Sequence, residues 1–402
     1  MNKIVLCGGT GWICTHYNQL FLNTEEIEYV EMIGMQNNDE SPNIKELIKL
    51  EEFDVSEDNL YLFLLFYEDI RINDIVFDEE ILKELSRGKI KLVIDRGGEL
   101  IHPPEISMIV QKISKYNLDI EVFFISMNLG KKAPKEVGFD QQLVECAWRI
   151  PEVLDDVDDF YFKDLSTYPK LHRFICLNGT LFPWRLLIVS KILDGELDKK
   201  SMISMVNKTN VSDDKMLSDL KEFSKSIDEK SISRTISKLP IIFDMSRDDF
   251  SVASKFTNSM LVNKDYILNL KKSYFSLVTE SDIRPFFKNN HHKITEKTYK
   301  TISFHPFIIV GGCGILKYLR SLGFKTFPEM FDESYDDIED NNERIDFIYK
   351  EVKKLCDMGD EELHRIYVSI IPKIRHNCKI LHNIDTEKII IKLFKDIARK
   401  VE

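Results

Sequence analysis

Three consecutive residues, Thr295, Glu296 and Lys297, place a hydroxyl, a carboxylate and an ammonium group at the start of a predicted helix. A helix N-terminus presents backbone N–H groups and a partial positive charge, and Lys297 in the first turn adds a full one. A diphosphate is an anion that such a site can hold, and Glu296 could accept hydrogen bonds from sugar or ribose hydroxyls. The same residues also fit an ordinary helix that the Thr295 hydroxyl caps.

A glycine-rich turn follows this helix. Gly311-Gly312-Cys313-Gly314 comes directly after an apolar, strand-like run and precedes another helical pattern. Glycine allows close approach of the backbone to a ligand, or simply a tight turn, so Gly312 is expected either to line a ligand site or to shape the turn. The spacing is not G-x-G-x-x-G, which gives little support for a nicotinamide dinucleotide site. The acidic segment Asp332–Asp336 is expected either to bind sugar hydroxyls from the donor side or to form a solvated loop in which a Ser or Asp caps the next helix.

The elements that position these residues alternate in type along the chain. Apolar runs of this kind are typical of strands buried on both faces of a parallel sheet. The first 130 residues contain such runs at Lys3–Cys7, Tyr61–Phe66, Lys89–Ile94 and Ile120–Ser126. A second alternation begins at Leu171. The pattern predicts an α/β fold with two Rossmann-like domains, in which ligands bind at the carboxyl ends of the strands.

Two segments resemble a known family. ITEKTYKTISFHPFIIVGG, residues 294–312, resembles the nucleotide-sugar-binding segment of glycosyltransferases with a fucosyltransferase-like or exostosin-like C-terminal domain. FICLNGTLFPWRLLIVSKIL, residues 174–193, resembles the second anchor of that domain. The sequence after Gly314 resembles uncharacterised, often viral, members. Together the similar region covers about residues 171–355.

The resemblance implies a GT-B architecture, in which two Rossmann-like domains face each other across a cleft and the second binds the donor. On this basis residues 1–165 form an acceptor domain and residues 166–385 form a nucleotide-sugar-binding domain. Residues 386–402 form a C-terminal helix that is expected to return to the N-terminal domain.

The resemblance also implies roles for individual residues. Lys297 would contact the donor diphosphate, with Arg185 as the second phosphate-binding group, and Glu296 would contact the ribose or the transferred sugar. Asn178 would either shape the loop before Arg185 or contact the donor. Glu280 would also contact the donor, since it stands where the family often has Glu-Asn-Ser, although the Asn is missing here.

The implied chemistry follows from the charge on the departing nucleoside diphosphate. Lys297, Arg185 and helix N–H groups would stabilise that charge without a metal. Two unpaired buried cations would be costly, so an anion between them would explain both. If the reaction inverts the configuration at the anomeric carbon, a carboxylate of the N-terminal domain should deprotonate the acceptor hydroxyl. At most one of Glu68, Asp95 and Glu99 would be this base.

Composition limits the partners. The net charge of −12 disfavours extensive nucleic-acid binding. No apolar run approaches the roughly 18 residues of a membrane span. Seven cysteines without a C-x-x-C pair indicate reduced thiols and no zinc site. The sequence therefore predicts a cytoplasmic protein, in the host cytoplasm if viral, that takes a nucleotide-diphosphate sugar and an acceptor. That acceptor would be a glycan, a protein or a modified nucleobase.

A second hypothesis stays open from the sequence. The chain could be a catalytically silent carbohydrate-binding or assembly protein with a degenerate glycosyltransferase fold. The Asn missing after Glu280 and the unassigned base both leave room for it.

Overall fold

The computed structural model divides the chain into two compact units. The first comprises Met1–Gln141, Asn290–Lys293 and Asp385–Glu402, and the second comprises Gln142–Asn289 and Ile294–Ile384. The residues that the structure describes are 4–8, 27–31, 60–66, 85–88, 90–95, 122–126, 136–138, 140, 142–144, 146–147, 161–205, 212–224, 228–241, 269–283 and 294–401.

The first unit contains a six-stranded sheet in which every pair of neighbouring strands is parallel. Its strands are β1 (Ile4–Gly8), β2 (Ile27–Glu31), β3 (Leu60–Phe66), β4 (Ile90–Asp95), β5 (Val122–Ser126) and β6 (Glu136–Gly138). They lie in the order β2-β1-β3-β4-β5-β6. In β4, the side chains of Leu92, Val93 and Ile94 are buried, as expected of a central strand covered on both faces.

The second unit contains a smaller parallel sheet. Its strands are β7 (His172–Asn178), β8 (Met202–Met205), β9 (Ser273–Thr279) and β10 (Phe307–Val310), in the order β10-β9-β7-β8. All seven side chains of β9 are buried, and so are all four of β10. The main core of this unit lies around these strands.

Seven of the described helices, α1 to α7 below, belong to the second unit. The described helices are α1 (Pro183–Asp194), α2 (Asp213–Phe223), α3 (Glu229–Ser237), α4 (Glu296–Ile302), α5 (Ile315–Ser321), α6 (Asn341–Asp357), α7 (Asp360–His382) and α8 (Thr386–Val401). Short 3-10 helices occupy Phe162–Asp164, Leu197–Lys200 and Glu333–Asp337. None of the helices in these described ranges is both long enough and apolar enough to cross a membrane.

Local sequence accounts for several helix boundaries. Pro183 opens α1, where its fixed φ suits the first helical position and its missing N–H is no loss. Asp340 caps α6, because its Oδ1 accepts hydrogen bonds from the N–H groups of Asn342 and Glu343, each at 2.9 Å. The last helix, α8, belongs to the first unit, where its buried face includes Ile390, Leu393, Phe394 and Ile397.

The α/β class with parallel sheets, predicted from the sequence, is confirmed. Strands β1, β3, β4 and β5 fall on the apolar runs described above. Strands β2 and β6 do not, and they are the two edges of the first sheet. An edge strand has a neighbour on only one side, so short strands with charged residues, such as Glu28 and Glu136, are tolerated there.

Candidate functional site

The second sheet has one point where its strand order reverses. From β7 the chain continues to β8 on one side, whereas β9 and then β10 lie on the other side. In open parallel sheets, ligands bind outside the carboxyl ends of the strands at such a switch point. Here that point lies between Asn178, the last residue of β7, and Thr279, the last residue of β9.

Asn178 connects the strand ends at the switch point. Its side chain is 2% exposed, and its Oδ1 accepts a hydrogen bond from the Thr279 hydroxyl. Its Nδ2 donates to the Ser204 carbonyl of β8 at 3.3 Å. These contacts join three strand ends, and the two roles expected for Asn178, in the loop before Arg185 or at the donor, stay predictions.

Arg185, in the first turn of α1, contacts both the loop that follows β7 and the end of β9. Its side chain is buried, with Nη1 donating to the Thr180 carbonyl at 3.0 Å and Nη2 to the Thr279 carbonyl at 2.8 Å. The Phe182 ring centroid lies 4.8 Å from its Cζ. Burial lowers the pKa of Arg185, and the nearby Glu280 carboxylate opposes that shift. Its Nε has no hydrogen-bond partner within the described residues.

Glu280 follows β9 directly and is fully buried. Its Oε1 accepts hydrogen bonds from the Thr295 N–H at 3.2 Å and the Thr298 hydroxyl at 2.5 Å. Its Oε2 accepts from the Thr295 hydroxyl at 2.5 Å. The expectation that the Thr295 hydroxyl caps α4 is therefore wrong. The Thr295 hydroxyl donates to Glu280 and does not accept from a backbone N–H of the helix. The Glu280 carboxylate, at the end of β9, accepts the hydrogen bonds from Thr295 and Thr298 at the helix start.

Glu296 and Lys297 form an ion pair on the first turn of α4. Lys297 Nζ lies 2.9 Å from Glu296 Oε1 and 3.3 Å from Thr295 Oγ1. The Lys297 side chain is 33% exposed and the Glu296 side chain is 23% exposed. Burial acts to raise the pKa of Glu296, but the ammonium groups of Lys297 and Lys300 outweigh it and leave the pKa below its usual value. The expectation of an unpaired Lys297 is thus corrected.

The backbone at the start of α4 is also held from a distant part of the chain. The Glu296 N–H donates to the Gln142 side-chain oxygen at 3.1 Å. Trp184 Nε1 donates to the Glu280 carbonyl at 2.9 Å. Sequence reasoning missed Gln142 because nothing local marks a residue 154 positions away. Thr298 could have been found, since it stands one helical turn after Thr295.

The glycine turn after β10 is explained largely by packing and backbone geometry. A Cβ on Gly311 would lie 3.1 Å from Ile309 Cγ2 and 3.2 Å from Ile315 Cδ1. Gly314 has a φ of 85°, a left-handed conformation that favours glycine. Gly312 lies between them and is buried. Gly311 and Gly314 therefore serve the turn.

The acidic segment near this turn holds structure together. Asp336 is 5% exposed, and its carboxylate accepts from the N–H groups of Leu316 at 3.0 Å and Lys317 at 3.1 Å, at the start of α5. Burial raises the pKa of Asp336, against the effect of these two hydrogen bonds. Glu333 accepts from the Phe327 N–H at 2.6 Å. Asp336 therefore caps α5, the helix before this segment, and is buried, whereas the sequence predicts a solvated loop that caps the next helix.

Of the three candidate bases, the structure describes only the backbone of Asp95. Asp95 closes β4, where its backbone pairs with Phe66 of β3 and Ile125 of β5. Glu68 and Glu99 lie outside the described residues, as does the side chain of Asp95. The identity of the base stays a prediction.

A metal site has no support in the described part of the chain. Within it, no group of three or more His, Cys, Asp or Glu side chains is arranged to hold a metal ion. Metal independence stays a prediction, since it concerns the reaction.

Comparisons with solved structures find two that align with this chain. A crystal structure of an alpha1,3-fucosyltransferase is 10% identical, with 95% of this chain and 92% of that chain covered and a TM-score of 0.38. A glycosyltransferase from Rickettsia africae ESF-5 is 14% identical, with 99% and 100% covered and a TM-score of 0.32. No family model and no curated protein matches the sequence. At these identities and TM-scores, neither similarity assigns an activity, a donor or an acceptor to this chain.

Proposed function

We propose that the chain is a glycosyltransferase that binds a nucleotide-diphosphate sugar at the carboxyl edge of the second sheet. One observation carries the proposal. At the switch point between β7 and β9, a buried arginine and a partly exposed lysine are tied to the same strand end. Arg185 donates to the Thr279 carbonyl, and Lys297 reaches Glu280 through the Thr295 hydroxyl.

The two cations would stabilise the charge that develops on the departing diphosphate. The Nε atom of Arg185 has no hydrogen-bond partner among the described residues, so its N–H is available for a charge-assisted hydrogen bond. Lys297 is one third exposed, so its ammonium group can exchange the Glu296 carboxylate for a phosphate oxygen. Ser281 Oγ is a second buried group at this edge with no partner in the described ranges.

Other residues support this arrangement without touching the phosphates. Glu280 is already occupied by Thr295 and Thr298, so its role is to position the start of α4. Glu296 would bind hydroxyl groups of the ribose or the transferred sugar once Lys297 has turned to the diphosphate. Gly312 would lie beside the donor, on the turn after β10.

The rest of the proposal rests on the sequence resemblance. The architecture is GT-B, with a second domain of the fucosyltransferase-like or exostosin-like kind, and transfer needs no metal. One of Glu68, Asp95 and Glu99 acts as the base for an inverting reaction. The acceptor is a hydroxyl of a glycan, a protein or a modified nucleobase.

A catalytically silent scaffold is the second candidate, and a specific observation favours it. Both Nη groups of Arg185 and both oxygens of Glu280 are used within the protein, and Lys297 is paired with Glu296. A protein that no longer binds a nucleotide sugar would pair its buried polar groups with one another in this way.

A thermal-shift screen with guanosine, uridine, cytidine and thymidine diphosphates separates the two. A ligand that binds only the folded state raises the melting temperature. We expect one of these diphosphates to stabilise the wild type. Loss of a charged hydrogen bond in Lys297→Ala should weaken its binding about tenfold or more. Release of that diphosphate from the matching nucleotide sugar would then establish activity.

Lys379→Ala is a matched control, since it removes an exposed lysine from α7. It should bind the diphosphate as the wild type does. No shift with any of the four, in protein that melts cooperatively, would overturn the proposal and favour the silent scaffold. Binding that survives in Lys297→Ala would remove the diphosphate from the start of α4.

A further inference from the structure

Arg344 lies in the first turn of α6 and is 2% exposed. Its Nε donates to the Gly311 carbonyl at 2.9 Å, and its Nη2 donates to the Ile283 carbonyl at 2.9 Å. Its Nη1 donates to the Ile338 carbonyl at 2.6 Å, and its Nη2 also donates to the Asn341 side chain. The guanidinium group therefore joins three separate loops.

Two of these loops lie at the carboxyl edge of the second sheet. Gly311 is the first residue after β10, and Ile283 lies just beyond Glu280 at the end of β9. The ladder between these strands ends at the Val310–Thr279 pair, with the Glu280 N–H donating to the Val310 carbonyl at 2.9 Å. Beyond that point, Arg344 connects the two loops by donating to both.

The chemistry of the side chain suits this task. Each buried backbone carbonyl needs a donor, and a guanidinium group offers five N–H donors in a fixed plane, whereas an ammonium group is a single point charge. Burial lowers the pKa of Arg344, against the effect of nearby anionic groups that include Asp336 and Asp340. The buried charge of Arg344 is held mainly by backbone carbonyl oxygens. We attribute its presence in the interior to its role in fixing several loops at once.

We propose that Arg344 is a positioning residue for the nucleotide-sugar site, holding the loop after β9 and the glycine turn after β10 in the arrangement that binds the donor diphosphate. This inference rests on the proposed function. Arg344 touches no donor itself. It fixes the backbone on which Glu280 and Gly312 stand, and through Glu280 it sets the position of Lys297.

The test compares Arg344→Met and Arg344→Lys with Arg173→Met. Arg173 is also a buried arginine of the second unit, but it lies near the start of β7 and donates to the Met358 carbonyl at 2.9 Å and to Asp360. All three variants should lower the melting temperature. The diphosphate that stabilises the wild type in the four-nucleotide screen is titrated calorimetrically into each full-length chain, well below its melting temperature.

We expect both Arg344 variants to bind that diphosphate about tenfold more weakly than the wild type, since a displaced loop loses at least one good contact. Arg173→Met should bind the diphosphate within about twofold of the wild-type affinity. The hydrogen bonds of Arg173 lie near the start of β7, at the opposite end of the strands from the proposed site. The KM for the nucleotide sugar should rise in the Arg344 variants alone. Amide hydrogen exchange at residues 280–283 and 311–312 should also accelerate in them alone.

The outcomes separate the two proposals. If the wild type binds one diphosphate and the Arg344 variants bind it as tightly as Arg173→Met does, the positioning role is wrong and the donor site stands. If the wild type binds none of the four, the donor site fails and the positioning role falls with it. Faster exchange at the two loops in Arg173→Met as well would show that Arg344 only contributes to general stability.

Discussion

Glu280, at the end of β9, accepts hydrogen bonds from both the backbone N–H and the hydroxyl of Thr295, 15 residues further along the chain. A fully buried carboxylate thus takes over the capping task that the helix's own threonine was expected to perform. The start of α4 and the end of β9 consequently form one hydrogen-bonded unit. Any ligand at the switch point would meet a helix whose position is set by the sheet.

Replacing Glu280 with glutamine is expected to lower the free energy of unfolding by about 1–3 kcal/mol. Three donors, from Thr295 and Thr298, face the two carboxylate oxygens, whereas the amide has one oxygen and would direct its NH₂ group at a donor. Urea unfolding measures the loss. Glu362→Gln, at an exposed position in the first turn of α7, is the control. Equal stability of the two variants would contradict a capping role for Glu280.

Gly311→Ala is expected to destabilise the second unit by about 1–3 kcal/mol, because the added methyl group overpacks the space between Ile309 and Ile315. Gly359→Ala is the matched control, since a Cβ there would meet no atom within 4 Å. It should stay within about 1 kcal/mol of the wild type. Thermal unfolding of both variants decides the matter. If Gly311→Ala proves as stable as Gly359→Ala, packing is not the reason for this glycine.

His305 should make stability depend on pH. It is fully buried, its Nε2 donates to the Ser273 carbonyl at 3.0 Å, and its Nδ1 accepts from the Ser276 hydroxyl at 2.8 Å. Burial lowers the pKa of His305 from 6.5 to about 3, with Lys170 adding to the shift and the Ser273 bond opposing it. Between pH 6.5 and about 3, His305 is therefore protonated in the unfolded chain but neutral in the folded chain.

The contribution of neutral His305 is complete above pH 6.5 and is lost as the pH falls toward about 3. Its slope is at most about 1.4 kcal/mol per pH unit. Urea unfolding of the wild type across this range should show a steeper decline than His305→Gln, which cannot titrate. His382→Gln, which removes an exposed imidazole at the end of α7, should keep the wild-type slope. Parallel curves for all three proteins would exclude a buried, neutral His305.

Much of the fold follows from the sequence because it depends on local pattern. The apolar runs of β3, β4 and β5 are long enough to be read as strands, since a central strand of a parallel sheet is covered on both faces. The edge strands β2 and β6 escape this reasoning, since a strand with one neighbour can carry charges. The helix start at Thr295 and the turn at Gly311–Gly314 were recognisable for the same local reasons.

By itself the sequence determined the α/β class and the central strands, and it predicts residues for holding a diphosphate. The tertiary structure alone decided what those residues do in the folded chain. Glu280 meets Thr295 because β9 ends beside the start of α4, and Arg344 reaches Gly311 and Ile283 from the start of α6. Hydrogen-bonding capacity belongs to a side chain, whereas its partner depends on strand order, which arises only when the sheet assembles from distant parts of the chain.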